Sequence, residues 1–189
     1  MKNARRRSRE FALQALYQWQ INAISAAELH NQYAQAEGYA SADADLFVAL
    51  LKGTIGAADS LIAQLTPHVD RKWEEVSPVE RAIMLFASYE MTAMPETPYR
   101  VIINEAIELA KSFGGTDGHK YVNGILDKLA AIVRADEIAY QAANPSTAHA
   151  SRSSTGAASG ANSGATATPS VAPKVTTKVR RTTTVSTKS

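Results

Sequence analysis

The spacing of apolar residues limits this chain to one class of fold. From about residue 4 to residue 133, apolar side chains recur every three or four positions. A strand would need an alternating pattern with a period of two, whereas this spacing places apolar side chains on one face of a helix. Gly, Pro and Ser interrupt the pattern at intervals that suit helix ends. The sequence therefore predicts an all-α fold.

Six helices are predicted, and three of them precede residue 67. The first covers about Ala4 to Asn22, the second Ala26 to Ala36, and the third is one long helix from Asp43 to Leu65 that Pro67 ends. Each has an apolar stripe that must be covered by another element. We expect residues 1–66 to form one helical bundle.

The fourth helix has the clearest start signal, the sequence SPVE. Ser77 suits the cap position, Pro78 suits the first helical position, and Glu80 is placed to bond back to the amide of the cap residue. A fifth helix is predicted up to residue 113 and a sixth up to about residue 133. Because short loops join these three helices, they should pack as a second, antiparallel bundle.

The turn between the fifth and sixth helices has the sequence GGTDGHK. Gly114 and Gly115 are predicted to end the fifth helix as left-handed terminators, and Thr116 or Asp117 to cap the sixth. The segment lacks the spacing of a nucleotide-binding loop. It still opens a helix whose positive N-terminal end carries three side chains suited to a phosphate and a stacked base, His119, Lys120 and Tyr121. The alternative is an ordinary helix cap.

The composition changes after about Gln141. Residues 142–189 are rich in Ala, Ser, Thr, Gly and Pro, and carry six basic residues and no acid: Arg152, Lys174, Lys178, Arg180, Arg181 and Lys188. Such a segment buries too little apolar area to offset its loss of backbone entropy, so we predict a folded domain over 1–141 and a disordered basic tail over 142–189. The tail either attracts nucleic acid weakly or is a solvated segment with no specific role.

Cysteine is absent, which excludes a disulfide framework, a thiolate zinc site and a cysteine nucleophile. The apolar run from Phe11 to Trp19 is interrupted by Gln14 and Gln18, so it does not read as a signal peptide. No stretch reaches the length of a membrane span. These features predict a cytoplasmic protein.

Residue patterns for catalysis or metal binding are weak. The four histidines, among them His30 and His149, show no paired spacing, which argues against a metal site. Carboxylates cluster at Glu74 and Glu75 and again near Glu108, but amphipathic periodicity explains them as solvated helix faces. We therefore predict no enzyme activity and no cofactor.

An arginine cluster at the start of the first helix points to a polyanion. Four of the five residues from 5 to 9 are arginines, Arg5, Arg6, Arg7 and Arg9, and their planar guanidinium groups bind phosphates in pairs. A helical wheel places Arg5, Arg6 and Arg9 on the apolar side. They should therefore project past the rim of the core, or precede the ordered helix until a ligand binds. Nearby aromatic residues favour single-stranded RNA over duplex DNA, and a solubilising charge run is the alternative.

Three blocks of the sequence, in this order, resemble the NusB family of transcription antitermination factors. They are RRRSREFALQALYQWQ, SPVERAIMLFASYEM and PYRVIINEAIELAKSFGGTDGHKYVNGILDKLA, and together they extend the resemblance over roughly residues 1–134. The resemblance implies two packed three-helix bundles, sometimes with one further short helix, and no enzyme activity.

The resemblance also implies partners. A NusB protein pairs with NusE, a ribosomal protein of the small subunit, and the pair binds the single-stranded boxA element of nascent transcripts, chiefly ribosomal RNA, within a processive RNA polymerase complex. This implies that an acidic surface faces the basic ribosomal protein and a basic edge faces RNA. The competing hypotheses are a helical interaction scaffold without specific RNA binding, and an enzyme with scattered carboxylates.

Candidate site residues follow by position. The basic segment at the start of the chain matches the arginine-rich RNA-binding segment: Lys2, Arg5, Arg6, Arg7 and Arg9. A second RNA-contacting region comprises Asp117, His119, Lys120 and Tyr121, and Gln14 and Gln18 extend the RNA surface along the first helix. His68 stands where the family often has an aromatic residue. The candidates for the protein partner lie on the exposed side of the fourth helix and before it: Glu74, Glu75 and Glu80.

Overall fold

A computed structural model describes residues 2–144 of the chain, and of Lys2 only the backbone. This part of the chain is helical and contains no strand, which confirms the all-α prediction. Its helices are α1 (Lys2–Asn22), α2 (Ala26–Ala34), α3 (Ala44–Gly56), α4 (Ala58–Leu65), α5 (Pro78–Ala93), α6 (Tyr99–Phe113), α7 (Gly118–Val133) and α8 (Ala135–Ala143). The predicted tail, apart from residues 142–144, lies outside the described residues.

Two bundles share one core. Helices α1, α2 and α3 pack together, as do α5, α6 and α7, and both α1 and α3 contact α5. Helix α5 is therefore the central element, and every residue from 82 to 88 is buried. The large side chains with essentially no exposed surface include Phe47, Leu16 and Leu50 on the first bundle and Phe86 and Ile102 on the second.

Two contacts attach helix α1 to α5, one near each end of α5. The Arg9 guanidinium forms an ion pair with the Glu90 carboxylate, and its Nε donates to Glu90 Oε2 over 2.9 Å. Towards the other end, Gln20 Nε2 donates to the backbone oxygen of Pro78 over 3.0 Å. These two contacts hold the rotation and position of α1 on the second bundle.

The predicted third helix is broken in two, so the prediction of one long helix is wrong. Helices α3 and α4 meet at a 77° bend. Ala57, between them, has φ −106° and ψ 10°, and Gly56 before it lowers the cost of leaving the helix. The apolar stripe continues across the bend, with Leu51 buried on α3 and Leu61 buried on α4. Because both halves face the core, the spacing of apolar residues does not reveal the break.

Two predicted helix ends differ from the structure. Ser77 is the cap residue and Pro78 begins α5 as predicted, but the Ser77 side chain makes no cap hydrogen bond. The Glu80 carboxylate instead lies against Gly118, where an added Cβ would sit 2.5 Å from Glu80 Oε1. Gly114 ends α6 with φ −87° and ψ −179°, an extended rather than left-handed conformation. In the described chain the glycine with positive φ is Gly38.

An eighth helix follows the predicted set and agrees with the further short helix that the family resemblance implies. Helix α7 ends at Val133, and Arg134 after it leaves the helical conformation with φ −126° and ψ 28°. Helix α8 then runs to Ala143, past the residue at which the predicted domain ends. The nearly buried Arg134 donates hydrogen bonds to four backbone oxygens near the end of α5 and the start of α6, those of Met91, Met94, Pro95 and Thr97.

Within residues 2–144, no single helix is both long enough and apolar enough to cross a membrane. Helices α3 and α4 taken together, with the residues up to His68, pass that test by length and composition, across their 77° bend.

Candidate nucleic-acid interface

The first turns of α1 carry three arginines that reach solvent. Arg5 and Arg7 are exposed and Arg6 is half-buried. Arg6 Nε lies 3.6 Å from one oxygen of the Glu10 carboxylate, and Arg7 Nη1 lies 3.7 Å from the other. Arg5 Nε is 3.7 Å from Asp43 Oδ2. Exposed ion pairs of this length contribute little stability, so these guanidinium groups can exchange their carboxylate for a phosphate at small cost.

Arg7 is further held by its surroundings. Its guanidinium carbon lies 5.5 Å from the centre of the Phe11 ring. The other neighbour is Gly38, where an added Cβ would lie 2.4 Å from Arg7 Nη2. Gly38 has φ 82°, a conformation that glycine adopts most readily, and it leaves room for the guanidinium. Asn3, Glu10 and Ser41 complete a polar groove of about 410 Å³ beside Arg6 and Arg7.

Arg9 does not belong to this surface. Its side chain is buried, with only 2% of the residue exposed, and it pairs with Glu90 inside the core. The prediction that Arg9 projects past the rim is therefore wrong, although its placement on the apolar side of α1 is right. A carboxylate on α5 supplies the partner that lets the charge stay buried. In the sequence, Glu90 interrupts an apolar stretch of α5, and this buried-position carboxylate is the feature that could have indicated a partner for Arg9.

Gln14 and Gln18 lie beside an apolar groove. Gln14 is exposed, and Gln18 Oε1 accepts a 3.1 Å hydrogen bond from Gln32 Nε2. The groove has a volume of about 310 Å³, and apart from the two glutamines its lining is apolar or aromatic: Leu13, Tyr17, Tyr33, Val79 and Phe113.

Two aromatic residues of this groove were not among the predicted site residues. Tyr17 is 42% exposed and Phe113 is 45% exposed. Phe113 is the last residue of α6, and its exposed ring shows that the last turn of this helix extends beyond the core. Large exposed aromatic side chains next to a groove mark a surface suited to a ligand or a partner.

The second predicted region lies at the start of α7. Asp117 holds the cap position of this helix without a cap hydrogen bond from its side chain. Its Oδ1 instead lies 2.9 Å from Lys120 Nζ. This hydrogen bond lowers the pKa of the Asp117 carboxyl and raises that of the Lys120 ammonium. Both side chains are exposed, and His119 between them is half-buried.

Charges from both regions act on Glu108 of α6. The pKa of the Glu108 carboxyl is lowered chiefly by a 2.7 Å hydrogen bond from Lys111 Nζ. The charges of Arg6 and His119 lower it further. Arg6 from α1 and His119 from α7 are therefore both close enough for their charges to act on this carboxyl, although more than a hundred residues separate them in the sequence. We call the region around Glu108 that both charges reach the Glu108 surface.

Tyr121, in the first turn of α7, contacts Arg71 and lies close to Asp70. It is half-buried and packs against the core, and its hydroxyl oxygen is buried. The guanidinium of Arg71 lies over its ring, 4.9 Å from the ring centre. Burial raises the pKa of the Tyr121 hydroxyl, and the nearby Asp70 carboxylate raises it further. His68 is half-buried in the turn that precedes Asp70.

The predicted acidic residues do not form one face of α5. Glu74 and Glu75 are exposed in a single 3₁₀ turn before this helix. Glu80 is half-buried against Gly118. Helix α5 is covered from both bundles, so little of its surface is exposed. Its accessible acidic part is confined to the N-terminal end.

Among residues 2–144, no group of three or more histidine and carboxylate side chains is arranged to hold a metal ion. The side chains described above supply guanidinium, ammonium, imidazole and aromatic groups. Such groups contact phosphates and bases directly.

Comparison with known proteins gives a consistent set of matches. The sequence model of the NusB family matches residues 6–131. The transcription antitermination protein NusB of Dechloromonas aromatica is 56% identical over 138 residues, which cover 73% of this chain and 85% of the relative. NusB of Neisseria meningitidis serogroup B is 56% identical over 137 residues, covering 72% of this chain and 97% of the relative.

Two solved structures share the fold. That of T. maritima NusB has a TM-score of 0.59 and 27% sequence identity, and the match covers 67% of this chain and 90% of that one. A chain from a complex described as the antitermination factors NusB and NusE with dsRNA has a TM-score of 0.58 over 68% of this chain and 97% of that one. At 16% identity, the second match is evidence for the fold alone.

Proposed function

Because the chain belongs to the NusB family, we propose that it is an RNA-binding transcription antitermination factor. The observation that best supports the proposal is that the charges of both Arg6 and His119 act on the Glu108 carboxyl, because it brings the two predicted RNA-binding segments within electrostatic range of one group. A continuous cationic surface can follow the backbone of a nucleic acid. The proposed role requires no catalysis.

The proposed ligand is single-stranded boxA-type RNA in nascent transcripts, chiefly of ribosomal RNA. Arg5, Arg6 and Arg7 supply exposed guanidinium groups, and Lys120 adds an ammonium group at the positive end of α7. Phosphates that bind here replace weak exposed ion pairs and release counterions, which favours association at low salt. In this proposal Lys2, Gln14, Gln18, Asp117 and His119 extend the RNA contacts, and Tyr121 contributes through its position at the start of α7.

The proposed protein partner is the ribosomal protein NusE. Residues 1–141 carry 14 basic and 18 acidic groups, a net charge of −4, which suits a basic partner. Glu74 and Glu75 are exposed and Glu80 is half-buried at the start of α5. Val79 beside Glu80 also lines the apolar groove that contains Tyr17 and Phe113, so acidic and apolar contacts are available side by side. Membership of the NusB family supports this choice, and one neighbour in fold comes from a complex described as NusB and NusE with dsRNA.

In the proposed organisation, residues 1–141 form the RNA-binding domain and residues 142–189 add weak, non-specific attraction to nucleic acid. Helix α8 extends to Ala143, so the domain boundary is better placed after it.

A salt titration tests the proposal. The binding of a short boxA-type RNA is measured from low to physiological salt, with and without NusE, next to the same RNA in duplex form. We expect affinity to fall steeply as salt rises, to increase when NusE is present, and to be greater for the single strand. The variants Arg6→Ala and Arg7→Ala should each weaken binding to all RNA sequences and reduce the salt slope by about one unit.

A helical interaction scaffold is the second candidate function, and the apolar groove with Tyr17 and Phe113 is the observation that favours it. A scaffold would bind NusE with no salt-dependent affinity for RNA in either sample. That result would contradict the RNA-binding proposal and leave the groove as the functional surface.

A further inference from the structure

Tyr121 has little ring surface to offer an incoming base. One side of the residue packs against the core, and its hydroxyl oxygen is buried. The guanidinium of Arg71 lies over the ring, at 4.9 Å from its centre. A base that stacked directly on Tyr121 would have to remove Arg71 from this position.

Arg71 is held in place by the residue next to it. Its Nε donates to Asp70 Oδ1 over 2.8 Å, and its Nη2 donates to Asp70 Oδ2 over 3.3 Å. This two-point contact fixes the plane of the guanidinium, and it lowers the pKa of the Asp70 carboxyl. The Arg71 side chain nevertheless remains 48% exposed. Arg71 is thus anchored by Asp70, rests on Tyr121 and retains free surface.

We propose that the solvent-facing side of the Arg71 guanidinium is the platform on which a base of the bound RNA stacks. A guanidinium is flat and delocalised, and unpaired bases stack on arginine planes as well as on aromatic rings. Tyr121 then acts as a positioning residue that supports Arg71 from below. This inference rests on the proposed RNA-binding function and assigns a further contact residue to it.

The charges around Arg71 separate this role from phosphate binding. Asp70 is paired with it, and Glu80 is close enough for its charge to raise the pKa of the Arg71 guanidinium as a minor contribution after that of Asp70. A phosphate at this position would meet two carboxylates. A neutral base meets no such repulsion, so Arg71 is better suited to stacking than Arg6 and Arg7.

The start of α7 places this platform near the Glu108 surface. Gly118, against which Glu80 lies, is adjacent in sequence to His119, whose charge acts on Glu108. An RNA strand whose phosphates follow the Glu108 surface can therefore direct a base towards Arg71.

The test is the conservative variant Arg71→Lys in the full chain, with NusE and a boxA-type RNA that carries a fluorescent adenine analogue at successive positions. Lysine keeps the positive charge and removes the planar group. Affinity should fall by roughly 5- to 150-fold, the range that the loss of one stacked base gives. The salt slope should stay unchanged, and the quenching of the analogue should decrease at one position.

Arg100→Lys is the matched control, because Arg100 lies over the ring of Tyr99 at 5.7 Å in another part of the chain. We expect it to bind RNA as the unmodified protein does. Tyr121→Phe keeps the ring that supports Arg71 and should also retain affinity. Thermal unfolding of Arg71→Lys checks that the fold is intact, as expected for an exposed residue.

Three results would overturn the inference. Unchanged affinity of Arg71→Lys would show that Arg71 is not in contact with RNA. Tighter binding would show that Arg71 blocks Tyr121, and a smaller salt slope would make it a phosphate contact. If the unmodified protein binds no RNA in this assay, the proposed RNA-binding function fails. If it binds RNA and Arg71→Lys binds equally well, only the inference about Arg71 fails.

Discussion

At the scale of single residues, Arg9 and Glu90 form an ion pair that is buried inside the core. Removing one partner leaves the other as an uncompensated buried charge, whereas removing both leaves an apolar contact. We expect Arg9→Met to lower the free energy of unfolding by about 3–5 kcal/mol. The double variant Arg9→Met with Glu90→Met should lose clearly less than the sum of the two single variants. Urea denaturation measures all three, and additive losses would contradict the pairing.

Arg134 is a second buried cation, and its partners are the Glu137 carboxylate, 2.8 Å from Nη1, and four backbone oxygens. Replacing it with methionine leaves the carbonyl groups of Met91, Met94, Pro95 and Thr97 without their donor. We expect Arg134→Met to cost about 3 kcal/mol of unfolding free energy. Lys128→Met, at an exposed position of α7, is the control and should change stability little. Equal effects in the two variants would show that the carbonyl contacts contribute nothing.

Asp117 gives a prediction about pH. The hydrogen bond from Lys120 lowers the pKa of its carboxyl in the folded protein. A lowered folded-state pKa contributes stability that is present above the unfolded pKa and is lost as pH falls through the folded value. Lys120→Met should therefore raise the pKa of Asp117 towards its ordinary value, as measured by carboxyl-carbon NMR. Lys111→Met, which removes the partner of Glu108, should leave Asp117 unchanged.

At the scale of helices, Gly53 controls how closely α3 approaches α5. An added Cβ would lie 1.9 Å from the ring of Tyr89. Gly53→Ala must displace that ring, and we expect a loss of about 1–3 kcal/mol in unfolding free energy.

Gly124→Ala on α7 is the matched control for Gly53→Ala, since nothing lies within 4 Å of its added Cβ. It should stabilise the protein by about 0.5–1 kcal/mol, because alanine is the better helix former. Both variants are compared by thermal and urea unfolding. A gain in stability from Gly53→Ala would contradict the close approach.

Local sequence patterns predicted most helices, because apolar spacing reports which side of a helix faces a core. The patterns did not predict the bend between α3 and α4, since Leu51 and Leu61 face the core on both sides of it. Nor did they predict the burial of Arg9, whose partner lies 81 positions away. The patterns also did not predict that Arg71 covers the Tyr121 ring, because Arg71 lies in an irregular segment that has no helical periodicity.

At the scale of the whole molecule, the described core ends before the basic segment begins. The buried side chains all precede Gln141, whereas the six basic residues without acidic neighbours lie beyond Asn144. We expect truncation after Asn144 to leave the unfolding temperature unchanged and to weaken RNA binding only at low salt. Truncation after Val133 removes Arg134 and is the contrasting variant. A large loss of stability in the first truncation would show that the segment packs on the domain.

The two contacts that hold α1 on α5 also fix the rotation of α1 about its own axis. A helix turns by about 100° per residue and rises about 1.5 Å, so every side chain on α1 has a fixed bearing relative to every other. Arg9, in the first half of this helix, and Gln20, near its end, fix it on α5, and the exposed arginines and the apolar groove are arranged around the same helix axis. One residue inserted in α1 between the exposed arginines and the groove residues would rotate the arginines by more than a quarter turn relative to the groove. The length and pitch of helix α1 therefore set the distance and the angle between the proposed RNA surface and the proposed partner surface.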